Sequence, residues 1–207
     1  MSDVRSSSDL VPLLMRYPSS AWQAVRVATQ VEAMGLLGTG TRRERMLDLV
    51  GDAFEALDRA GIGRSDLASL HSAGPADVAA IVNRVAQALE ASPHPDTEWE
   101  ALTARLGEEV VARLCHVSAS SLTRYAAGAR STPDPVALRL HHLALVVADL
   151  AGSYNDRGIR RWLDRPRAQL DGFSPASLLV DDWDPDDPGP RRVAALAAAL
   201  AGAGAAA

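Results

Sequence analysis

The sequence predicts an all-α protein, and three features carry that prediction. Apolar residues recur at three- and four-residue spacing almost throughout, period-two alternation is scarce, and Gly, Pro and polar clusters punctuate the pattern at helix-length intervals. The chain has 207 residues, is 47% hydrophobic and 23% charged, and so has the composition of a folded protein rather than a disordered one. Its length suits one large domain or two small ones. Aromatic residues make up only 4%, so the core must be built mainly from Ala, Leu and Val.

Taken in order, Ser19–Leu37 reads as a helix with Trp22, Val25, Val31 and Met34 near one stripe. Arg42–Ala60 is more strongly amphipathic, with Met46, Leu49, Val50, Ala53, Phe54 and Leu57 on one face and Gly61 placed to end it. Pro75–Ala91 follows, with Pro75 in the first turn and Val78, Ile81, Val82, Val85 and Leu89 as its buried stripe. Ser92–Thr97 contains Pro93 and Pro95 and reads as a breaker, placing a domain boundary there. Helix resumes over Glu98–Leu106 with Trp99 and Leu102 inward. Short helices run to Ala127, a long one spans Val136–Ala151, and another covers Arg157–Leu163. The acidic loop Asp181–Asp187 reads as solvated. Arg191–Ala201 is the last helix, and Ala203–Ala207 is expected to fray. The expected division is a helical domain over 1–95, a helix-turn-helix with its long connecting helix over 96–152, and a small helical domain over 153–207.

Several function classes are disfavoured. No apolar run approaches the ~18–20 residues that span a bilayer, and the N-terminus lacks the apolar core of a secretory signal, so a cytosolic protein is expected. Cys115 is the only cysteine, which excludes an intrachain disulfide and a CxxC motif. His141 and His142 are helix neighbours that point about 100° apart and do not suit one metal. The Gly35–Gly40 stretch has neither a preceding strand nor a lysine, so a nucleotide loop is disfavoured. No nucleophile is paired with a base, and neither an enzyme nor a cofactor is expected. The net charge is −5, and all 21 basic residues are arginine. That balance argues against a chain that coats nucleic acid everywhere, but not against a local basic patch, because charges act over about a Debye length, ~8–10 Å.

The informative stretch is Glu108–Pro133. Val111, Ala112, Leu114 and Cys115 supply the inner face of a short helix, Cys115–Val117 makes a tight connection, and Ser118 is suited to cap the next helix. Leu122 and Tyr125 face inward, and Gly128 closes the helix. Ala119, Ser120, Ser121 and Arg124 are left outside. A Ser118–Ala127 helix would be about 15 Å long, and a B-DNA major groove, ~12 Å wide, admits one such helix. Small residues near its start permit close approach to base edges. Ser118, Ala119, Ser120, Ser121, Thr123 and Arg124 are therefore candidate DNA contacts, with Arg130, Ser131 and Thr132 on the adjacent backbone.

Val117-Ser118, Leu122-Thr123-Arg124-Tyr125, Gly128, Arg130 and Pro133 together resemble the Xre-type helix-turn-helix family. His116 stands where that family often has a turn glycine, so this position is expected to need a left-handed backbone. Glu108 stands where it often has a phosphate-touching Gln, and a carboxylate there repels DNA. Ile159-Arg160-Arg161-Trp162-Leu163, Pro166, Leu170, Gly172, Ser174-Pro175 and Leu178-Leu179 resemble the toxin-binding domain of the Xre/MbcA/ParS antitoxin family, with Val193, Leu196 and Leu200 as the apolar positions of its terminal helix. The two signatures cover roughly the C-terminal half. The resemblance implies a bacterial, homodimeric antitoxin that binds its own promoter DNA and sequesters a toxin, commonly of the NAD-degrading RES fold. It also makes Arg160, Arg161, Trp162, Pro175 and Leu179 candidate partner contacts, while Trp162, Leu163 and Leu179 read first as core or dimer seam. A DNA-independent protein-interaction module is the alternative. Arg157, Arg160, Arg161, Arg165 and Arg167 form the densest basic run. It is read either as a solvated face paired with Asp156 and Asp164, or as a phosphate- or toxin-contacting patch.

Overall fold

The computed structural model describes residues 10–16, 18–38, 46–70, 72–74 and 76–204. The protein is all-α, with no strand among the described residues. These residues fall into two compact units. The first comprises residues up to Glu32 together with Leu36–Ser92, and the second comprises Ala33–Gly35 and the chain from Pro93 onward.

The first unit contains α1 (Leu10–Leu14), α2 (Pro18–Ala33, its last residue counted in the second unit), α3 (Met46–Ala60), α4 (Arg64–Leu70) and α5 (Val78–Glu90). The short helices α1 and α4 were not expected. Each buries only two leucines, Leu10 with Leu14 and Leu67 with Leu70, too few to show a period. Of the expected stripe, Val31 and Met34 are buried, while Trp22 and Val25 are only half-buried and Ala24, Val27 and Ala28 take the inner face of α2. The chain leaves the helix at Ala33 rather than Leu37, and Gly35 and Gly38 both have positive φ. The inner face of α3 is as expected except for Met46, which lies exposed at the helix start. Gly61, at φ 78°, ends α3, and the Ile62 N–H donates to the Leu57 carbonyl at 2.9 Å. The expected first residues of two helices, Arg42–Arg45 and Pro75, lie outside the described residues.

The second unit contains α6 (Pro95–Leu106), α7 (Glu108–Leu114), α8 (Ala119–Ala126), α9 (Asp134–Ala151), α10 (Asp156–Asp164), two short 3-10 turns (Ala168–Leu170 and Pro175–Leu178) and α11 (Pro188–Gly204). Pro95 does not break the chain but opens α6, because a first-turn residue needs no N–H partner. Pro135 plays the same part in α9, and Pro188 begins α11 earlier than expected. The axis of the unit is α9. It buries Ala137, Arg139–Ala144 and Val146–Leu150, nearly its whole circumference, and α6, α10 and α11 pack around it. Trp99 from α6 and Trp162 from α10 are the largest fully buried side chains. No single helix among the described residues is long and apolar enough to cross a membrane.

Candidate nucleic-acid interface

Two matching helix exits shape α7 and α8. At the end of α7, His116 is left-handed (φ 55°); its N–H donates to the Arg113 carbonyl at 3.2 Å and the Val117 N–H to the Ala112 carbonyl at 2.9 Å. At the end of α8, Gly128 is left-handed (φ 65°), with the Gly128 N–H on the Tyr125 carbonyl at 3.0 Å and the Ala129 N–H on the Arg124 carbonyl at 2.9 Å. Both are Schellman closures. The first sets the turn between the helices, and the second sends the chain back along α8. Glycine adopts this conformation without penalty; His116 is held in it by the turn.

Ser118 caps α8. Its hydroxyl accepts from the Ser121 N–H at 3.1 Å and lies 3.1 Å from the Ser120 hydroxyl and 3.0 Å from that of Ser121. Leu122 and Tyr125 are buried, while Ala119, Ser120, Thr123 and Arg124 are exposed and Ser121 is half-buried. The Thr123 hydroxyl donates to the Ala119 carbonyl at 3.0 Å, and Arg124 Nε donates to the Ser120 carbonyl at 3.1 Å. The Arg124 side chain is thus laid along the first turns, and its two terminal nitrogens have no partner among the described residues. Arg130 is exposed and stacks over the Tyr125 ring at 5.6 Å. Among the described residues neither arginine has a carboxylate partner. Ser131 is exposed. Thr132 is half-buried, and its hydroxyl accepts from Trp99 Nε1 at 2.9 Å.

Sequence reasoning missed what holds this helix pair. Trp99 stacks on Tyr125 with ring centroids 5.8 Å apart and planes 19° apart, while its N–H grips Thr132. One indole on α6 therefore fixes both α8 and the loop leaving it. The turn is held from the other side. Trp183 is buried, and its Nε1 donates to the Leu114 carbonyl at 2.8 Å. Arg139, buried on α9, donates to the Cys115 carbonyl at 3.3 Å and the Trp183 carbonyl at 2.8 Å, and pairs with Asp182 at 3.2 Å. The acidic loop is thus not simply solvated: its tryptophan and the buried Arg139 satisfy carbonyls that the end of α7 leaves open. The aromatic Trp183 inside an otherwise acidic run was the available signal.

The titratable groups nearby are structural. His141 Nδ1 and Glu98 Oε1 lie 2.6 Å apart in the core. His142 meets the edge of Trp183 at 5.3 Å between centroids, and burial followed by the neighbouring His141 lowers its pKa to about 4. Burial pushes the Cys115 thiol far up, so it is an inert core residue. No group of three or more metal-ligating side chains converges among the described residues.

The candidate partner contacts do not share one surface. Trp162, Pro175 and Leu179 are buried in the unit's own core, and of the five only Arg160 and Arg161 reach the surface. Arg160 is half-buried and donates to the Arg105 carbonyl; Arg161 is exposed. The expected pairing of the basic run with Asp156 and Asp164 is also corrected. Asp156 pairs with Arg105 of α6 at 3.6 Å and Asp164 with Arg113 of α7 at 3.4 Å. Arg167 instead stacks over Trp162 at 5.0 Å. No known family, curated protein or solved structure matches the chain.

Proposed function

We propose that this chain is a sequence-specific DNA-binding regulator that lays α8 in a major groove, working as a homodimeric antitoxin that represses its own operon and sequesters a toxin of RES type. The reading rests above all on the outer face of α8. Small and hydroxyl-bearing residues surround an arginine whose terminal nitrogens have no partner among the described residues, and a second uncompensated arginine stands at the helix exit. Arg124 can offer its terminal edge to a guanine, while Arg130 and Ser131 meet the flanking backbone. A two-fold pair of such helices requires half-sites ~34 Å apart or a multiple of that distance.

The test is fluorescence anisotropy with a duplex from the DNA upstream of the gene and a scrambled control. Arg124→Ala should weaken the preferred duplex by about tenfold to a hundredfold and erase much of the preference, with little change on the control. An unchanged preference would sink the recognition-helix assignment. The second reading, partner capture without DNA, draws support from Phe173 and Val180, apolar side chains 54% and 53% exposed in the C-terminal segment. Stable co-purification with a neighbouring gene's product, with no shift of any duplex, would favour it.

A further inference from the structure

We infer that α10 and the residue that caps it carry a second phosphate-binding element, three exposed arginines that grip a nucleic-acid backbone beside the α7–α8 helix pair. This rests on the DNA-binding reading above. Arg157, Arg161 and Arg165 follow one another at i, i+4 and i+8, and all three are exposed. Arg157 and Arg161 lie one turn apart, a step of about 6 Å along one side of α10, and Arg165 is the extended residue that caps the helix. None has an ion pair or hydrogen bond among the described residues.

The pairing around them explains why. The acids that α10 carries at its two ends are engaged elsewhere, Asp156 by Arg105 and Asp164 by Arg113. Arg160, on another face, turns inward to the Arg105 carbonyl. The fold therefore pairs both acids of α10 with arginines of α6 and α7, their carboxylates staying at the surface, and leaves Arg157, Arg161 and Arg165 without a partner among the described residues, in a chain whose net charge is −5.

The chemistry of this face favours a phosphate backbone over a protein. The centre of a protein interface is depleted of charge and rich in apolar and aromatic groups, whereas the exposed residues of α10 are charged without exception. Interfaces with nucleic acid are polar and strongly positive. One strand of B-DNA presents a phosphate about every 3.4 Å of axis while winding round it, so a step of ~6 Å is on the order of the spacing between neighbouring phosphates along that strand. The Arg113–Asp164 bridge sets the end of α10 against α7, the helix that crosses the backbone in a helix-turn-helix complex. The first turn of α7 itself carries exposed Glu108 and Glu109, which repel phosphate, so cationic contacts on this side must come from elsewhere.

The experiment measures the salt dependence of binding by the full chain, with a duplex of about 40 base pairs from upstream of the gene and a scrambled one, four helical turns each. The triple variant Arg157→Ala, Arg161→Ala, Arg165→Ala, checked for helicity by circular dichroism, should reduce the slope of log K against log salt by about 2.7, or 0.9 per lost phosphate contact. The loss should be equal on both duplexes, and the triple lysine variant should restore the slope. An unchanged slope while Arg124→Ala still erases the sequence preference overturns the proposal and leaves the recognition helix standing; loss of a co-purifying protein in that case assigns the arginines to a protein partner. A reduced slope with no effect of Arg124→Ala upholds the three-arginine element and removes the recognition-helix reading. Failure of the wild-type chain to bind either duplex at low salt overturns both.

Discussion

His116 illustrates how a single backbone angle is set by its surroundings. A left-handed conformation costs a residue with a Cβ about 1–2 kcal/mol, yet the turn between α7 and α8 needs it at this position. The strain is tolerated because the Cys115 and Leu114 carbonyls just before it are gripped by Arg139 and Trp183. Since the His116 side chain is exposed, His116→Gly should relieve the strain without loss of packing. The expected gain is up to about 1 kcal/mol, or about 2–4 °C in melting temperature for a chain of this size. A melting temperature equal to or below that of wild type would show that the turn stores no strain. The need for a left-handed residue was legible in the sequence, from the expected glycine position. The two side chains that brace it were not.

Among the elements, α6 is the one that orders the candidate interface. Trp99 couples α6 to α8 by stacking and to the exit loop by a hydrogen bond, so the helix and the loop form one rigid surface. Trp99→Phe keeps a ring against Tyr125 and deletes the donor to Thr132. It should cost about 2–3 kcal/mol of stability, from the lost hydrogen bond and the cavity left by the smaller ring, and, on the proposed function, weaken DNA binding on preferred and scrambled duplexes alike, because the loop holding Arg130 loses its anchor. A change in sequence preference with equal affinity for the scrambled duplex would contradict that division of labour. The helices themselves, their caps and the inward pairing of Leu122 with Tyr125 could be read locally, since each depends on residues within one or two turns. The destination of the α10 acids could not. Within the sequence they stand beside α10 arginines, whereas in the fold they meet Arg105 and Arg113.

At the scale of the molecule, the buried polar residues of α9 tie stability to pH. His142 has its pKa lowered from 6.5 to about 4 when folded. The unfolded chain therefore binds the proton first, and the stability this neutral imidazole supplies is fully present above about pH 6.5 and is lost as pH falls towards 4. The loss amounts to about 3 kcal/mol over that window. Urea midpoints should fall between pH 7 and pH 4.5, and His142→Asn should flatten the dependence. A midpoint that stays level in wild type would mean that the imidazole is not shielded from solvent protons.

The sequence by itself determined the all-α class, the helix-turn-helix with its serine cap and glycine exit, and the small polar outer face of α8. All of these arise from periodicity and capping, whose determinants are neighbours along the chain. Only the tertiary structure decided how these pieces are held and which charges stay free. The contacts responsible join residues far apart in sequence: Trp99 with Thr132 across 33 positions, Arg139 with Asp182 across 43 and Trp183 with Leu114 across 69. No local pattern encodes such pairs, because each forms only when packing around α9 brings its two ends within a few ångströms.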